Sequence, residues 1–447
     1  MLVIGAGRSG RAAARLLREQ GARVDLWDDA PEERLGGLRA EMEPLGVAVR
    51  LGTDRPRPGG YDLAVVSPGV PPRHPLWQAL TRQGVPVIGE MELGFRHLGC
   101  PVIAVTGTNG KTTVAEMIGR ALQAQGLRVF LGGNLGRPLT EAGGGAWDLA
   151  VVEASSFQLA TTETFRPRVA VLLNLGADHL DWHPDPGDYA RAKGRIFENQ
   201  TPDDAAVVNA DDPAARALAR RARAPVLGFS TRRAQGAGAW AEGDDVVLCL
   251  PGRDGVRVPR GELRIPGEHN LANALAAWLA AALAGADPVR GWEAVRGFPG
   301  LPHRLEGFLE WRGIRFVDDS KATNVHAALE AIRAVGGPVV WLAGGTSKGQ
   351  DLSPLAAGAR GRVRRAVLVG QAAPDLALAL SPAVPAEVAP SWPEAVRTAV
   401  DAARPGDTVL LAPACASFDQ FSGYAERGET FQRLCRQEVE GRDGSRS

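Results

Sequence analysis

The sequence predicts an α/β fold made of three successive units of parallel strands and helices. Three observations carry that expectation. Short apolar, β-branched runs alternate with helical stretches from the first residues onward, the rhythm of a parallel sheet covered on both faces. The rhythm restarts near residue 94 at PVIAVTG and again near residue 300. At 447 residues the chain is also too long for one ordinary domain. The expected units are 1–93, 94–299 and 300–447.

In the first unit, LVIG is a buried-strand pattern followed by a glycine turn and the helical stretch RAAARLLREQ. RVDLWDD, YDLAVVSPG and VPVIGE continue the alternation. The second unit runs through PVIAVTG, RVFLGG, DLAVVEASS, RVAVLLNLG and DAAVVNAD. From about 225 to 262 it is richer in turns, and PVLGF, DVVLCL and RVPR suggest a small β element. An Ala-rich helix at 269–286 follows; it contains Asn273, is short for a bilayer and reads as buried. IRFVDDSKA, PVVWLAGG, RAVLVG and DTVLLAPA are the strands of the third unit, and no 20–50-residue repeat is present.

Composition narrows the class. Basic and acidic residues number 51 each, so whole-chain charge favours neither nucleic acid nor an anionic membrane. The four cysteines (Cys100, Cys249, Cys415, Cys435) are far apart, which argues against a disulfide framework or a structural zinc and suits a reducing cytosol. No basic segment precedes an apolar core at the start, so a cytoplasmic protein without a signal peptide is expected.

The stretch VIAVTGTNGKTTVAEMIG carries the strongest chemistry. Gly110, Lys111 and Thr112 fill the second half of a phosphate-loop template, but the first glycine is displaced to Gly107 and position 105 is Val105. A tighter loop that still binds a nucleotide is expected, because strand, turn and helix are all in place. Free N–H groups at a helix start favour phosphate, Lys111 can reach the terminal phosphates, and the Thr112 hydroxyl can ligate Mg2+. Glu153, after four apolar strand residues, suits a metal-orienting acid whose carboxylate escapes burial at the strand end; a helix-capping Glu is the alternative. His179 follows another apolar strand and could face the γ-phosphate or a second metal, or be an ordinary polar contact. Lys193 sits on an amphipathic helix, where a lysine is normally solvated, and the physics of the sequence does not select it.

A second nucleotide-type turn opens the chain. GAGRSG (Gly5, Gly7, Ser9 and Gly10 among its residues) follows a strand and starts a helix, and Asp28 ends the next strand 18 residues after Gly10. That satisfies a dinucleotide fingerprint, so an NAD-dependent dehydrogenase is a competitor. The same turn can hold any diphosphate, including that of a sugar nucleotide. ATP at one site and a UDP-linked substrate at the other is a plausible pairing.

In order along the chain, GTNGKTT, GGNLG, VVEASSFQL, DHLDWH, YARAKGRIFENQ, EHNLANALAA, LPHRLE, DDSKATN and LAPACASFDQF resemble the Mur ligases of peptidoglycan precursor synthesis. The resemblance covers nearly the whole chain. It implies a three-domain architecture: a Rossmann-like N-terminal domain for UDP, a central P-loop ATPase domain and a Rossmann-like C-terminal domain that brings in the amino acid. The glycine turn resembles the alanine- and glutamate-adding members, and ACASFDQF (414–421) resembles the D-glutamate-adding branch. The alanine-adding branch, a folylpolyglutamate-type ligase and a non-catalytic nucleotide-binding regulator are the other readings.

The resemblance also implies residue roles. Gly107, Thr108, Asn109, Gly110, Lys111, Thr112 and Thr113 would hold ATP phosphates and Mg2+, with Glu153 as a metal ligand. His179 and Lys193 would serve a second Mg2+, Lys193 as a CO2-derived carbamate; Lys111, Glu153, His179 and Lys193 would be the catalytic set. Asn270 and Asn273 would lie near adenine, Arg304 near the phosphates and Asp319 at the ribose. Gly5, Gly7, Ser9, Gly10, Asp28, Ser67 and Gly69 would line the UDP site, with Asn134, Ser155 and Gln158 on the muramoyl-alanine part. Lys321, Thr323, Lys348, Ser417, Phe418 and Tyr424 would form the D-glutamate site. Arg8 stands where a small or apolar residue is expected. The implied reaction phosphorylates the alanyl carboxylate of UDP-N-acetylmuramoyl-L-alanine with ATP and couples the acyl phosphate to D-glutamate, supporting cell-wall biogenesis, cell shape and division. A monomer whose C-terminal domain closes before catalysis is expected.

Overall fold

Strands that read as continuous apolar runs become the centres of three sheets, because a parallel sheet covered by helices has no wet face. The computed structural model describes residues 1–54, 56–57, 59–134, 136–176, 182–232, 236–265, 267–347, 349–381 and 383–444.

The first sheet has five parallel strands in the order Val47–Leu51, Val24–Asp28, Leu2–Ile4, Ala64–Val66, Val87–Gly89. Period-two alternation divides its side chains. Val3, Leu26, Val49 and Val65 pack with Ala13, Ala14 and Leu17 of the helix Arg8–Glu19. Leu2, Ile4, Trp27 and Val66 pack on the other face with Leu76 and Leu80. The connections diverge on either side of Leu2–Ile4, so the switch point lies at its carboxyl end, directly before the glycine turn.

The second sheet has nine strands. Val102–Thr106 lies between Val169–Leu172 and Leu149–Glu153, with Val129–Gly133 at one edge. Ala205–Asn209, Val226–Ser230 and Gly238–Glu242 extend it in parallel on the other side. Asp245–Cys249 and Val256–Pro259 then finish it antiparallel. The strand Gly238–Glu242 was not legible in the Gly/Ala-rich sequence; it forms because a tight turn with Gly243 at φ +63° folds it against Asp245–Cys249. The Ala-rich helix is Glu268–Leu283; Trp278 is fully buried and its indole N–H donates to the Pro288 carbonyl at 2.7 Å.

These two sheets share one compact unit, Met1–Leu263 with His269–Phe298. The short helix Glu90–Arg96 joins them. Buried Glu92 accepts from the backbone N–H groups of Glu163 (2.9 Å), Thr164 (2.9 Å) and Phe165 (3.1 Å) and from Arg96 Nε (2.8 Å). Glu90 accepts from both the N–H and the hydroxyl of Thr140 at 2.8 Å.

The second compact unit, Arg264–Glu268 with Pro299–Ser447, contains the third sheet. Its order is Glu306–Trp311, Ile314–Asp318, Thr408–Ala414, Val339–Gly344, Val363–Val369, Ala386–Val388, with only the first strand antiparallel. Among the described residues no helix is long and apolar enough to cross a membrane.

Candidate active site

The phosphate loop lies at the carboxyl end of the central strand Val102–Thr106 and ends at Gly110, which caps the helix Lys111–Gln123 at φ +86°. A left-handed residue is found there, and a Cβ at that position would stand 2.5 Å from Asn273 Oδ1, so glycine is strongly favoured. Asn273 is thereby brought against the loop, with Asn270 one helical turn away (Nδ2 of Asn273 to Oδ1 of Asn270, 3.4 Å). The loop is held from beneath by Asn174, whose Oδ1 accepts from the N–H groups of Thr108 (3.0 Å) and Asn109 (2.8 Å). Lys111 bends back across it, Nζ donating to the carbonyls of Gly107 (3.0 Å) and Thr108 (2.9 Å). The missing first glycine is thus compatible with a closed turn.

Glu153 ends the neighbouring strand. The sequence led us to expect an accessible carboxylate, but it is 2% exposed. Burial is tolerated because Oε2 accepts from the Thr112 hydroxyl at 2.7 Å and Oε1 from Asn134 Nδ2 at 2.8 Å. The capping alternative does not apply: Ser155 caps the next helix, Ser156–Leu159, in a capping box with Gln158. Thr112, Glu153 and Asn134 therefore form one cluster, and Ser155 and Gln158 follow it in sequence, just beyond the end of the Glu153 strand.

Lys193 is not solvated, as a lysine on an amphipathic helix would ordinarily be; it is 1% exposed. Its Nζ donates to the Gly107 carbonyl at 2.8 Å and lies 4.7 Å from the Tyr189 ring centroid. Thr106 Oγ1 is 3.4 Å away. Tyr189 in turn touches the loop, its hydroxyl 3.1 Å from Thr108 Oγ1. The sequence of the helix Pro186–Gly194 hid this, since Tyr189 and Lys193 face the phosphate loop while Arg191, on the same short helix, faces water. His179 and Lys348 lie outside the described residues.

At the N-terminal turn, Gly5 has φ +95° and its carbonyl accepts from the Ser67 hydroxyl at 2.9 Å. A Cβ on Gly10 would fall 1.7 Å from that carbonyl oxygen, whereas Gly7 and Gly69 face open space. The Asp28 carboxylate accepts from Ala6 N (2.6 Å) and Ala30 N (2.8 Å), tying the second strand end to the turn. Ser9 is partly buried in the first turn of the helix, and exposed Arg8 sits 3.6 Å from Glu141.

In the second unit, the ends of three adjacent strands converge. Asp319 follows Ile314–Asp318, and burial raises its carboxyl to about 7 against the opposing charge of Arg304. Lys321 Nζ lies 3.8 Å over the Tyr424 ring. Thr323 N donates to the Lys321 carbonyl at 2.8 Å. Ser417 is buried just after Thr408–Ala414, and Phe418 beside it is 71% exposed. Arg427, which the sequence did not single out, is fully buried and clasps these ends. It donates to Ser320 Oγ (3.0 Å), Ser320 O (2.9 Å), Cys415 O (3.1 Å) and Gly344 O (3.3 Å). Burial lowers it to about 10. His303 (φ +61°) was also missed; its Nδ1 is 2.7 Å from buried Asp318.

The donor set suits a nucleotide triphosphate and Mg2+: loop N–H groups, a lysine, a threonine hydroxyl and a carboxylate at one strand-end cluster. Family models agree along the chain. The Mur ligase MurD-like N-terminal domain matches residues 1–89, the Mur ligase middle domain residues 105–281, and the Mur ligase glutamate ligase domain residues 303–415. The chain is 43% identical to the UDP-N-acetylmuramoylalanine–D-glutamate ligase of Pelotomaculum thermopropionicum, over 97% of this chain and 96% of the relative. It is 44% identical to the ligase of the same name from Myxococcus xanthus, over 97% of each. The UDP-N-acetylmuramate-alanine ligase of Thermotoga maritima shares the fold, with a TM-score of 0.61 at 18% identity over 99% of both chains. This chain belongs to the Mur ligase family.

Proposed function

We propose that this chain is the ATP-dependent ligase that adds D-glutamate to UDP-N-acetylmuramoyl-L-alanine in peptidoglycan precursor synthesis. Full-length relatives of that name at 43–44% identity support the substrate pair. The observation that carries the chemistry is the Thr112–Glu153–Asn134 cluster beside the Lys111 loop. ATP is the phosphoryl donor and Mg2+ its counter-ion. Three segments, 1–93, 94–299 and 300–447, divide the work between the UDP moiety, ATP and the amino acid.

A carboxylate does not condense with an amine at neutral pH without activation. An oxygen of the L-alanyl carboxylate attacks the γ-phosphorus of ATP, the bond to the bridging oxygen breaks, and ADP leaves. The amine of D-glutamate attacks the acyl carbon, loses a proton, and inorganic phosphate departs. Such transfer is mostly positioning and charge neutralisation. Lys111 offsets the repulsion between two anions, and the loop N–H groups cradle the phosphates. Thr112 and Glu153 would hold Mg2+, which supplies charge neutralisation on the phosphoryl oxygens. His179 and Lys193 would hold a second ion, Lys193 as its carbamate; that form keeps one N–H, enough to retain a bond to the Gly107 carbonyl. Asn270, Asn273, Arg304 and Asp319 would serve the rest of ATP. The glycine turn would hold the UDP diphosphate, and Ser9, Asp28, Ser67 and Gly69 would line the rest of the UDP site. Lys321, Lys348, Thr323 and Ser417 suit a dicarboxylate amino acid, with Phe418 and Tyr424 alongside. The enzyme acts as a cytoplasmic monomer with no nucleic-acid or membrane partner.

Phosphate release from ATP with UDP-N-acetylmuramoyl-L-alanine and a panel of amino acids tests this. Release that requires D-glutamate is expected. Turnover only with L-alanine and UDP-N-acetylmuramate would overturn it.

A further inference from the structure

His183 stands, buried, at the centre of a hydrogen-bond chain that the proposed chemistry does not use. Its Nδ1 is 2.8 Å from Asp188 Oδ2 and its Nε2 is 2.9 Å from Ser156 Oγ. His183 is 1% exposed and Ser156 2%. An Asp–His–Ser order invites comparison with a hydrolytic nucleophile, but no substrate carbonyl can reach a hydroxyl so enclosed. The constellation must act on the protein itself.

Its position says on what. Ser156 lies three residues beyond Glu153, in the first turn of the helix Ser156–Leu159, and its hydroxyl is free of capping duty because Ser155 is the cap. Asp188 lies five residues before Lys193, in the first turn of the helix Pro186–Gly194. The chain therefore ties the element ending in Glu153 to the element bearing Lys193. The imidazole cannot swing: it stacks on Phe157 (centroids 5.7 Å, 26°) and meets Trp182 (4.5 Å) and Tyr189 (5.4 Å) edge-on or nearly so. The carboxylate at Nδ1 makes that nitrogen the N–H donor and leaves Nε2 to accept from the Ser156 hydroxyl. In keeping with this, Asp188 is held below the ordinary carboxylate range, first of all by its bond to His183.

We infer that His183 is a positioning residue for metal and nucleotide binding: through Ser156 and Asp188 it sets the spacing between Glu153 and Lys193. The inference rests on the proposed assignment of those two residues as metal ligands. Residues that orient metal ligands typically contribute about 10–100-fold to affinity or activity.

The test uses the full chain with Ser156→Ala, His183→Phe and the double variant. Readouts are Mn2+ binding in the presence of ADP, followed by electron paramagnetic resonance, and the thermal midpoint. Each single variant should weaken Mn2+ binding roughly 10-fold or more, and the double variant should be no worse than the weaker single one, since both cut the same chain. Unchanged Mn2+ binding in Ser156→Ala and His183→Phe, or losses that multiply in the double variant, would overturn the inference. If His183→Phe does not fold, Ser156→Ala decides alone. The substrate reading fails separately: a wild-type chain that binds Mn2+ and ADP yet releases no phosphate with D-glutamate refutes that reading only. A wild-type chain that binds neither refutes both.

Discussion

The Thr112 hydroxyl donates to Glu153 Oε2 across 2.7 Å, joining the helix behind the phosphate loop to the end of the next strand. Asn134 completes the pair from a third element at 2.8 Å. This arrangement gives both oxygens of a buried carboxylate a donor and aims it at the place where a hydroxyl-bound cation would sit. Glu153→Gln removes the charge at nearly constant shape. D-glutamate-dependent phosphate release should fall by roughly 100-fold or more while the thermal midpoint stays close to wild type. Retained activity would remove Glu153 from the metal site.

Gly110 offers a sharper stereochemical check. At φ +86°, any side chain costs about 1–2 kcal/mol, and a Cβ would press on Asn273 at 2.5 Å. Gly110→Ala should weaken ADP binding about 10-fold, read by calorimetry. Wild-type affinity would mean that the loop relaxes without loss.

Gly7 and Gly10 should respond differently. A Cβ at Gly10 collides with the Gly5 carbonyl at 1.7 Å, but at Gly7 it meets nothing within 4 Å. Gly10→Ala should lower the thermal midpoint; Gly7→Ala should leave it unchanged. If the open space before Gly7 belongs to the diphosphate, Gly7→Ala should still raise KM for the UDP substrate. An unchanged KM would place the diphosphate elsewhere.

Glu90 gives a pH prediction. It is buried, its Oε2 has no hydrogen-bond partner among the described residues, and burial raises its carboxyl to about 7 from an ordinary 4.5. The folded chain therefore holds this proton more tightly than the unfolded chain. The contribution is full below about pH 4.5 and is lost as the pH rises through about 7. Glu90→Gln stays neutral throughout. Its thermal midpoint should match wild type near pH 4.5 and exceed it by a few degrees at pH 8. A constant difference across that range would exclude titration of Glu90.

Much of the molecule could be read from local pattern alone. Buried parallel strands announce themselves as apolar runs, and glycine turns followed by helices mark phosphate sites, because these depend on residues close in sequence. The turns at Gly5–Gly10 and Gly107–Gly110, and Asp28 at the second strand end, were legible for that reason. Burial of polar groups was not. Glu153 reads as an exposed strand-end acid until Thr112 and Asn134, 41 and 19 residues away, are seen to satisfy it. Lys193 reads as a surface lysine until its helix is laid across the phosphate loop. Arg427 looks like one of many basic residues on a charged helix, yet it holds the ends of three strands. Composition and short-range pattern determined the fold class and both glycine turns. Only the tertiary structure decided which charges are buried, because whether a charged group can leave water depends on partners that long-range packing alone brings within hydrogen-bonding distance.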